Sequence, residues 1–296
     1  MNKMVKTIKT IGIVGAGQMG SGIAQICAAA GYDVLLVDSN IDRLNGFSSQ
    51  NLKYFEKSLE KSTEKGKLSA ATKSKIMMRI HSSDSLDVLK EADFVIEAIT
   101  EDELAKINLF KALSHITPAH TILATNTSSF SVTKLAAATS RPVQCIGVHF
   151  MNPVVVMPMV EVTRGLLTSE QTVEITCVLL DILDKIVVEV CDTPGFVVNR
   201  LLLPLINEAI FLLQEGIASV EGIDAAVHYG ANFPMGPLAL ADLIGLDTCL
   251  AIMQSLHHRL GDDKYRPCPL LIQYVEAGWL GRKANKGFYD YSANEA

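Results

Sequence analysis

Apolar positions in the first two thirds of the chain gather into short runs that alternate with segments of helical composition. Thr10–Val14 is a β-branched run, Asp33–Val37 is a second that ends on Asp38, and further runs stand at 94–98, 121–125, 145–149 and 186–190. Between them the spacing of apolar residues predicts helices near 103–114 and 170–183. This alternation predicts an α/β domain with a Rossmann-like, mostly parallel, doubly wound sheet. From 41 to about 80 the chain is highly charged and of helical composition, with a turn at Lys65-Gly66-Lys67. That is longer than an ordinary crossover and reads as a helical hairpin insertion. Leu52, Phe55 and Leu59 form its apolar stripe.

After Cys191 the pattern changes. Thr193-Pro194-Gly195 is a turn, and helices are expected at 196–215, 220–229, 237–260 and 269–277, with Pro237 in a first helical turn. Two domains follow: residues 1–192, and an all-α domain over 193–296. The first helix of the second domain is apolar nearly all round, which predicts burial on several sides, including against a second subunit.

Composition narrows the class. With 296 residues, almost half of them hydrophobic, the chain can bury a large core, and a net charge of −6 supplies no overall positive field for a polyanion. Nucleic acid is therefore not an expected partner. Six cysteines without a C-x-x-C pair read as reduced thiols and not as a metal site. No signal-like segment precedes the first run, and the most apolar segment, 196–220, is interrupted by Asn199, Arg200, Pro204, Asn207, Glu208 and Glu215. A cytoplasmic protein with no membrane span is expected.

The first run leads directly into Gly15-Ala16-Gly17-Gln18-Met19-Gly20 and then a helix-forming segment. Strand, glycine turn, helix, second strand and terminal acid in that order predict dinucleotide binding. The first glycine permits the turn, the second lets backbone approach a pyrophosphate, and the third lets helix pack on strand. Asp38 would accept from ribose hydroxyls and would repel a 2′-phosphate, favouring NAD. Arg43 softens that preference, so NADP stays open.

A second candidate region is 143–162, VQCIGVHFMNPVVVMPMVEV, where two apolar runs flank an Asn-Pro break. His149 ends the first run and Glu161 lies inside the second. A carboxylate among valines needs a partner, and a His held by one can act as a general base. The residues alone equally allow a solvated Glu on an edge strand and a solvated His at a strand end. Ser128, in the polar cluster Asn126-Thr127-Ser128-Ser129 after a strand, could bind ligand or merely cap a helix. Lys53, Lys57, Lys61 and Lys65 repeat every four residues, either as a solvated helix face or as a rail for a phosphate-rich substrate tail.

Taken over its whole length, the chain resembles the L-3-hydroxyacyl-CoA dehydrogenase family, in particular its short bacterial members that act on 3-hydroxybutyryl-CoA. The resemblance rests on GAGQMG from Gly15, VIEA with Glu101 beyond it, NTSS from Asn126, HFMNP from His149, VEV from Val160, PGFVVNR from Pro194, GANFPMGPLAL from Gly230 and the closing GRKANKGFYDY. It implies an NAD-dependent enzyme that exchanges a hydride with the C3 position of a short 3-hydroxyacyl-CoA. His149 then matches the catalytic base and Glu161 the acid that orients it, while Ser128 and Asn199 match residues that hold the reacting oxygen. Gly15, Gly17, Gln18, Met19, Gly20 and Asp38 match the dinucleotide fingerprint, and Glu101, Lys106, Ser128, Asn152 and Lys283 fall at further cofactor contacts. The family uses the segment carrying Lys53, Lys57 and Lys61 against coenzyme A; the apolar first helix of the second domain separately suggests a homodimer through the helical domain. Ser128 and Asn199 coming from different domains implies a site at their junction, with closure as part of catalysis. Two departures stand out: Met151 where the family has Phe, and Pro158 where most members have Lys. A dehydrogenase of a free hydroxy acid such as L-gulonate, or a noncatalytic NAD(H)-binding protein, remains an alternative.

The lysine rail discriminates between an acyl-CoA and a free acid. Neutralising Lys53, Lys57 and Lys61 together is expected to raise KM for an acyl-CoA while leaving KM for a pantetheine-shortened thioester unchanged, as read by steady-state kinetics on both substrates.

Overall fold

The computed structural model describes residues 8–40 and 70–292, where the apolar runs become strands of one eight-stranded sheet. The strands are β1 (Thr10–Val14), β2 (Asp33–Val37), β3 (Ile80–Ser83), β4 (Phe94–Glu97), β5 (Ile122–Thr125), β6 (Cys145–Phe150), β7 (Met159–Arg164) and β8 (Ile186–Cys191). They lie in the order β3-β2-β1-β4-β5-β6-β7-β8. The chain leaves β1 toward β2 and β3 and returns with β4 on the other side of β1. Strand order thus reverses between β1 and β4, which opens a crevice at their carboxyl ends. Every pair from β3 across to β6 is parallel, β7 runs antiparallel to β6, and β8 is parallel to β7.

The central strands β1, β4, β5 and β6 are buried on both faces, so their sequences read as continuous apolar runs. Ile11, Ile13, Val34, Leu36, Phe94 and Ile96 pack on one face with Ile23 and Cys27 of α1 (Gln18–Ala29). On the other face Val14, Val37, Val95 and Leu123 meet Phe110 and Leu113 of a helix over Glu103–Ile116 and Leu135 of another over Val132–Ala137. Helices on both faces make the sheet doubly wound. Asp102, Ser131 and Ser169 each start a helix by accepting a backbone N–H three residues on, a cap that contributes about 1 kcal/mol.

β3 is not visible in the apolar pattern. Its sequence, Ile-His-Ser-Ser, lies at the sheet edge, where parallel backbone pairing with β2 suffices without apolar side chains. The expected hairpin insertion falls mostly outside the described residues; a helix over Ala70–Met78 is its described end.

The chain divides into two compact units, Met1–Thr193 and Pro194–Ala296. The second is helical: Val198–Gln214, Val220–Ala225, Pro237–Ile244, Leu246–Leu260 and Pro269–Glu276 surround a core of Leu203, Ile206, Ile210, Leu238, Leu246, Met253, Leu256 and Leu271. Its first helix buries one face within this unit and leaves Leu201 71% exposed. The single helix expected over 237–260 is in fact two, bent by 97° at Gly245, whose φ is +102°. Apolar periodicity continues across the break and hides it. The second expected helix is α-helical over Val220–Ala225 and continues as a π-helix over Ala226–Gly230.

A side chain at Gly245 would be forced into a conformation that L residues rarely adopt and would meet Asp247 Oδ1 at 3.0 Å. Gly245→Ala is therefore expected to destabilise the protein by about 1–3 kcal/mol, to be measured by urea unfolding.

Candidate active site

The carboxyl edge of the sheet collects the chemistry. Gly15 turns sharply after β1 with φ +107°, and a Cβ there would lie 2.4 Å from the Ala98 carbonyl oxygen. A Cβ on Gly20 would meet the Gly15 carbonyl oxygen even more closely, so helix and loop touch through this glycine. Gly17 differs, because a Cβ there would meet nothing within 4 Å. Among the described residues no neighbour requires glycine at that position. Open space above a helix N-terminus, over a backbone stripped of side chain, fits a pyrophosphate group. Gln18 is exposed and Met19 half-buried beside it.

Asp38, just beyond β2, accepts the Ala16 N–H at 2.8 Å through Oδ2 and the Asn40 N–H at 2.9 Å through Oδ1. It braces the glycine loop from the side on which a ribose would lie. The residues present thus fit NAD(H): Gly15, Gly17 and Gly20 leave a backbone surface that would receive the phosphates, and Asp38, braced against Ala16, would stand at the adenosine side.

His149 and Glu161 are directly opposed across the antiparallel β6–β7 ladder. Imidazole Nδ1 lies 2.8 Å from Glu161 Oε2; Glu161 is fully buried and His149 is 9% exposed. A carboxylate can only accept, so Nδ1–H donates to it. Nε2 is then left with its lone pair and can take a proton from a bound hydroxyl. Of the two readings open from sequence, the solvated pair is excluded by burial and contact.

Beyond β5, Asn126 Oδ1 accepts the Phe150 N–H at 2.9 Å and ties this loop to the end of the His149 strand. Ser128 follows in the same loop, its N–H donating to Glu101 Oε1 at 3.1 Å. Glu101 also accepts from Thr127 Oγ1 at 2.5 Å, Ser129 Oγ at 2.8 Å and Lys106 Nζ at 3.1 Å. Partial burial raises the proton affinity of Glu101, but the Lys106 ammonium and the Thr127 and Ser129 hydroxyls outweigh it and hold its pKa below the ordinary value of 4.5. Lys106, expected as a direct cofactor contact, is 1% exposed, with its ammonium shared between Glu101 and Glu97. It ties Glu101 to Glu97.

Asn152 Oδ1 accepts from Gln18 Nε2 at 3.2 Å, joining the turn after β6 to the glycine loop. Pro158 lies just ahead of β7, where it removes no ladder donor, and its carbonyl accepts the Ile186 N–H at 2.8 Å. Lys185 donates to the Val154 and Met157 carbonyls at 2.6 and 2.8 Å, so a cation does hold this turn. In the helical unit Asn199 occupies the first turn of its helix, half-buried, and Lys283 pairs with Asp247 at 2.6 Å. Lys53, Lys57, Lys61, Lys65 and Arg43 lie outside the described residues. The roles of Glu97 and Asn126 were not anticipated; an acid inside the apolar run at 94–98 was the signal for the first.

Among the described residues no group of three or more His, Cys, Asp and Glu is arranged to hold a metal ion, and no single helix is long and apolar enough to cross a membrane.

The chain matches the family model described as 3-hydroxyacyl-CoA dehydrogenase, NAD binding domain, over residues 10–193, and the corresponding C-terminal domain over 195–291. It is 54% identical over 284 residues to a protein named probable 3-hydroxybutyryl-CoA dehydrogenase from Bacillus subtilis, covering 96% of this chain and 98% of that one. It is 50% identical over 289 residues to the 3-hydroxybutyryl-CoA dehydrogenase of Bradyrhizobium diazoefficiens, with 97% of each chain covered. Among solved structures, (S)-3-hydroxybutyryl-CoA dehydrogenase from Ralstonia eutropha is similar with a TM-score of 0.92 and 48% identity, covering 97% of this chain and 100% of that one.

Because the pKa of Glu101 is lowered on folding, its contribution to stability is present above the ordinary carboxylate range and is lost as pH falls through the lowered value. The stability advantage of wild type over Glu101→Gln is thus expected at neutral pH and should vanish in acid, as followed by urea unfolding across a pH series.

Proposed function

The chain belongs to the 3-hydroxyacyl-CoA dehydrogenase family, and from that premise we propose that it interconverts (S)-3-hydroxybutyryl-CoA and acetoacetyl-CoA with NAD(H) as the hydride partner. The observation that carries the reading is the His149–Glu161 pair, 2.8 Å apart, at the same sheet edge as the glycine turn. NAD(H), held along Gly15, Gly17, Gly20 and Asp38, supplies the hydride acceptor or donor.

The protein's own part is proton handling and positioning. His149 Nε2 removes the C3 hydroxyl proton in oxidation and returns it in reduction. Glu161 fixes the ring tautomer and stabilises the imidazolium, as the acid of a Ser-His-Asp triad does. Ser128 and Asn199 hold the reacting oxygen, with Asn199 supplied by the helical unit. Asn152 and Lys283 complete the cofactor contacts, and Glu101 reaches the cofactor from its place above Lys106. Lys53, Lys57 and Lys61 meet the phosphates of the coenzyme A portion. Apolar side chains such as Leu201, 71% exposed, and Leu205, 37% exposed, support a homodimer through the helical unit. A cytoplasmic location agrees with a coenzyme A thioester as substrate.

NADH consumption with acetoacetyl-CoA, set against a panel of free hydroxy and keto acids, tests the substrate class; turnover confined to the free acids would refute it. His149→Ala and Glu161→Gln are expected to lower kcat by about a hundred- to ten-thousandfold, the usual worth of an acid–base group. NADH binding should persist in both. Near-normal turnover in either variant would remove it from the mechanism.

A further inference from the structure

Glu97 lies outside the proton-handling pair, yet it is fully buried at the end of β4. It accepts three separate donors: the Ile99 N–H at 2.8 Å, the Thr125 hydroxyl at 2.6 Å and the Lys106 ammonium at 2.5 Å. Lys106 reaches Glu101 as well, at 3.1 Å. Two carboxylates thus share one ammonium, which leaves the group one net negative charge. Of its members only Glu101 is appreciably exposed, with 38% of its side chain open, so the excess charge is presented upward at the ends of β4 and β5.

The topology decides what lies above that charge. The glycine turn follows β1 and Asp38 follows β2, so the adenosine half of a dinucleotide occupies the β2 side of the switch point. Its other half extends across the crevice toward β4 and β5. A nicotinamide ring is cationic when oxidised and neutral when reduced. An uncompensated negative charge beside it distinguishes the two forms.

We infer that Glu97, acting through Lys106 and Glu101, is a specificity-determining residue for cofactor redox state, keeping the nicotinamide end of the site net negative and so raising the affinity for NAD⁺ relative to NADH. This rests on the NAD(H) reading given above. Glu97→Gln keeps the side-chain volume, and its amide oxygen can go on accepting from Ile99 while the Thr125 hydroxyl, which donates to the other oxygen of Glu97, turns to accept from the amide NH2; the variant leaves one carboxylate against one ammonium and hence no net charge. The double variant Glu97→Gln with Lys106→Met restores one net negative charge on Glu101. The His149–Glu161 pair is untouched in both.

The dissociation constants of NAD⁺ and NADH, measured by titration calorimetry on the full chain without substrate, separate charge from architecture. For Glu97→Gln, NAD⁺ affinity is expected to fall roughly tenfold relative to NADH, the scale of one unit charge several ångströms away in a partly buried site. The double variant should return the ratio toward wild type. Equal losses for both forms in Glu97→Gln, or a double variant whose ratio stays shifted, would overturn the inference by marking Glu97 as merely structural. Should Glu97→Gln not fold, Glu101→Gln also neutralises the group and must show the same shift in ratio; an unchanged ratio there overturns the inference too. A wild-type chain that binds neither form would overturn the dinucleotide reading itself, and this inference with it.

Discussion

The site depends on one departure from parallel order, the antiparallel pairing of β7 with β6. Reversing direction there lets a short connection bring Glu161 back to the edge at which His149 ends its strand, and the ladder places the two residues opposite each other. Register is as important as direction. A slip of one residue would turn Glu161 to the other face of the sheet and replace it with a valine, leaving a carboxylate in apolar surroundings and an imidazole unheld. Val160 and Val162, 0% and 1% exposed, guard against that slip by filling the opposite face. The packing of two valines and the orientation of the base are therefore a single constraint.

The carboxylates at this edge solve the problem of burial in different ways, and each solution yields a different function. Glu161 is paired with a titratable ring, so the pair can exchange a proton with a substrate. Glu97 is paired with an ammonium and two further donors, which fixes charge in place. Asp38 takes backbone N–H groups, which stiffens the glycine loop. A buried ion pair is weak evidence for stability in itself, because desolvation offsets much of the attraction. What these arrangements secure is position and sign of charge at the end of each strand.

Much of this was legible in the sequence, for reasons that also explain what was not. Buried parallel strands have to be apolar throughout, so β1, β2, β4 and β5 are visible as runs, while edge strand β3 needs little but backbone pairing and leaves no such trace. The glycine turn is readable because each glycine meets a separate steric demand. Gly245 is not, since a single glycine within an apolar helical pattern costs only about 1 kcal/mol and need not break it. The partnership of Lys106 with Glu97 is a tertiary fact: nine residues apart, on a strand and a helix, they share no local period. The Glu101 contacts to Thr127, Ser128 and Ser129 likewise join two strand ends that only the sheet order makes adjacent.

Motif strength and chemical importance are also different quantities in this chain. The closing GRKANKGFYDY segment carries the resemblance along with the histidine motif, yet its described contacts converge on a buried acid, Asp242, through two backbone N–H groups and one tyrosine hydroxyl. That carboxylate, 1% exposed, accepts the Phe288 and Tyr289 N–H groups and the Tyr291 hydroxyl. A Cβ on Gly281 would approach the Asp242 carbonyl oxygen, and one on Gly287 its carboxylate, more closely than atoms can. Tyr289 extends the arrangement by donating its hydroxyl to Asp224, which in turn accepts the first N–H groups of the helix over Pro237–Ile244. These residues close the helical unit around two buried acids. A motif match that runs the whole length of a chain therefore identifies the family through its packing as well as its chemistry, and only geometry, as in the opposed His149 and Glu161, separates the two.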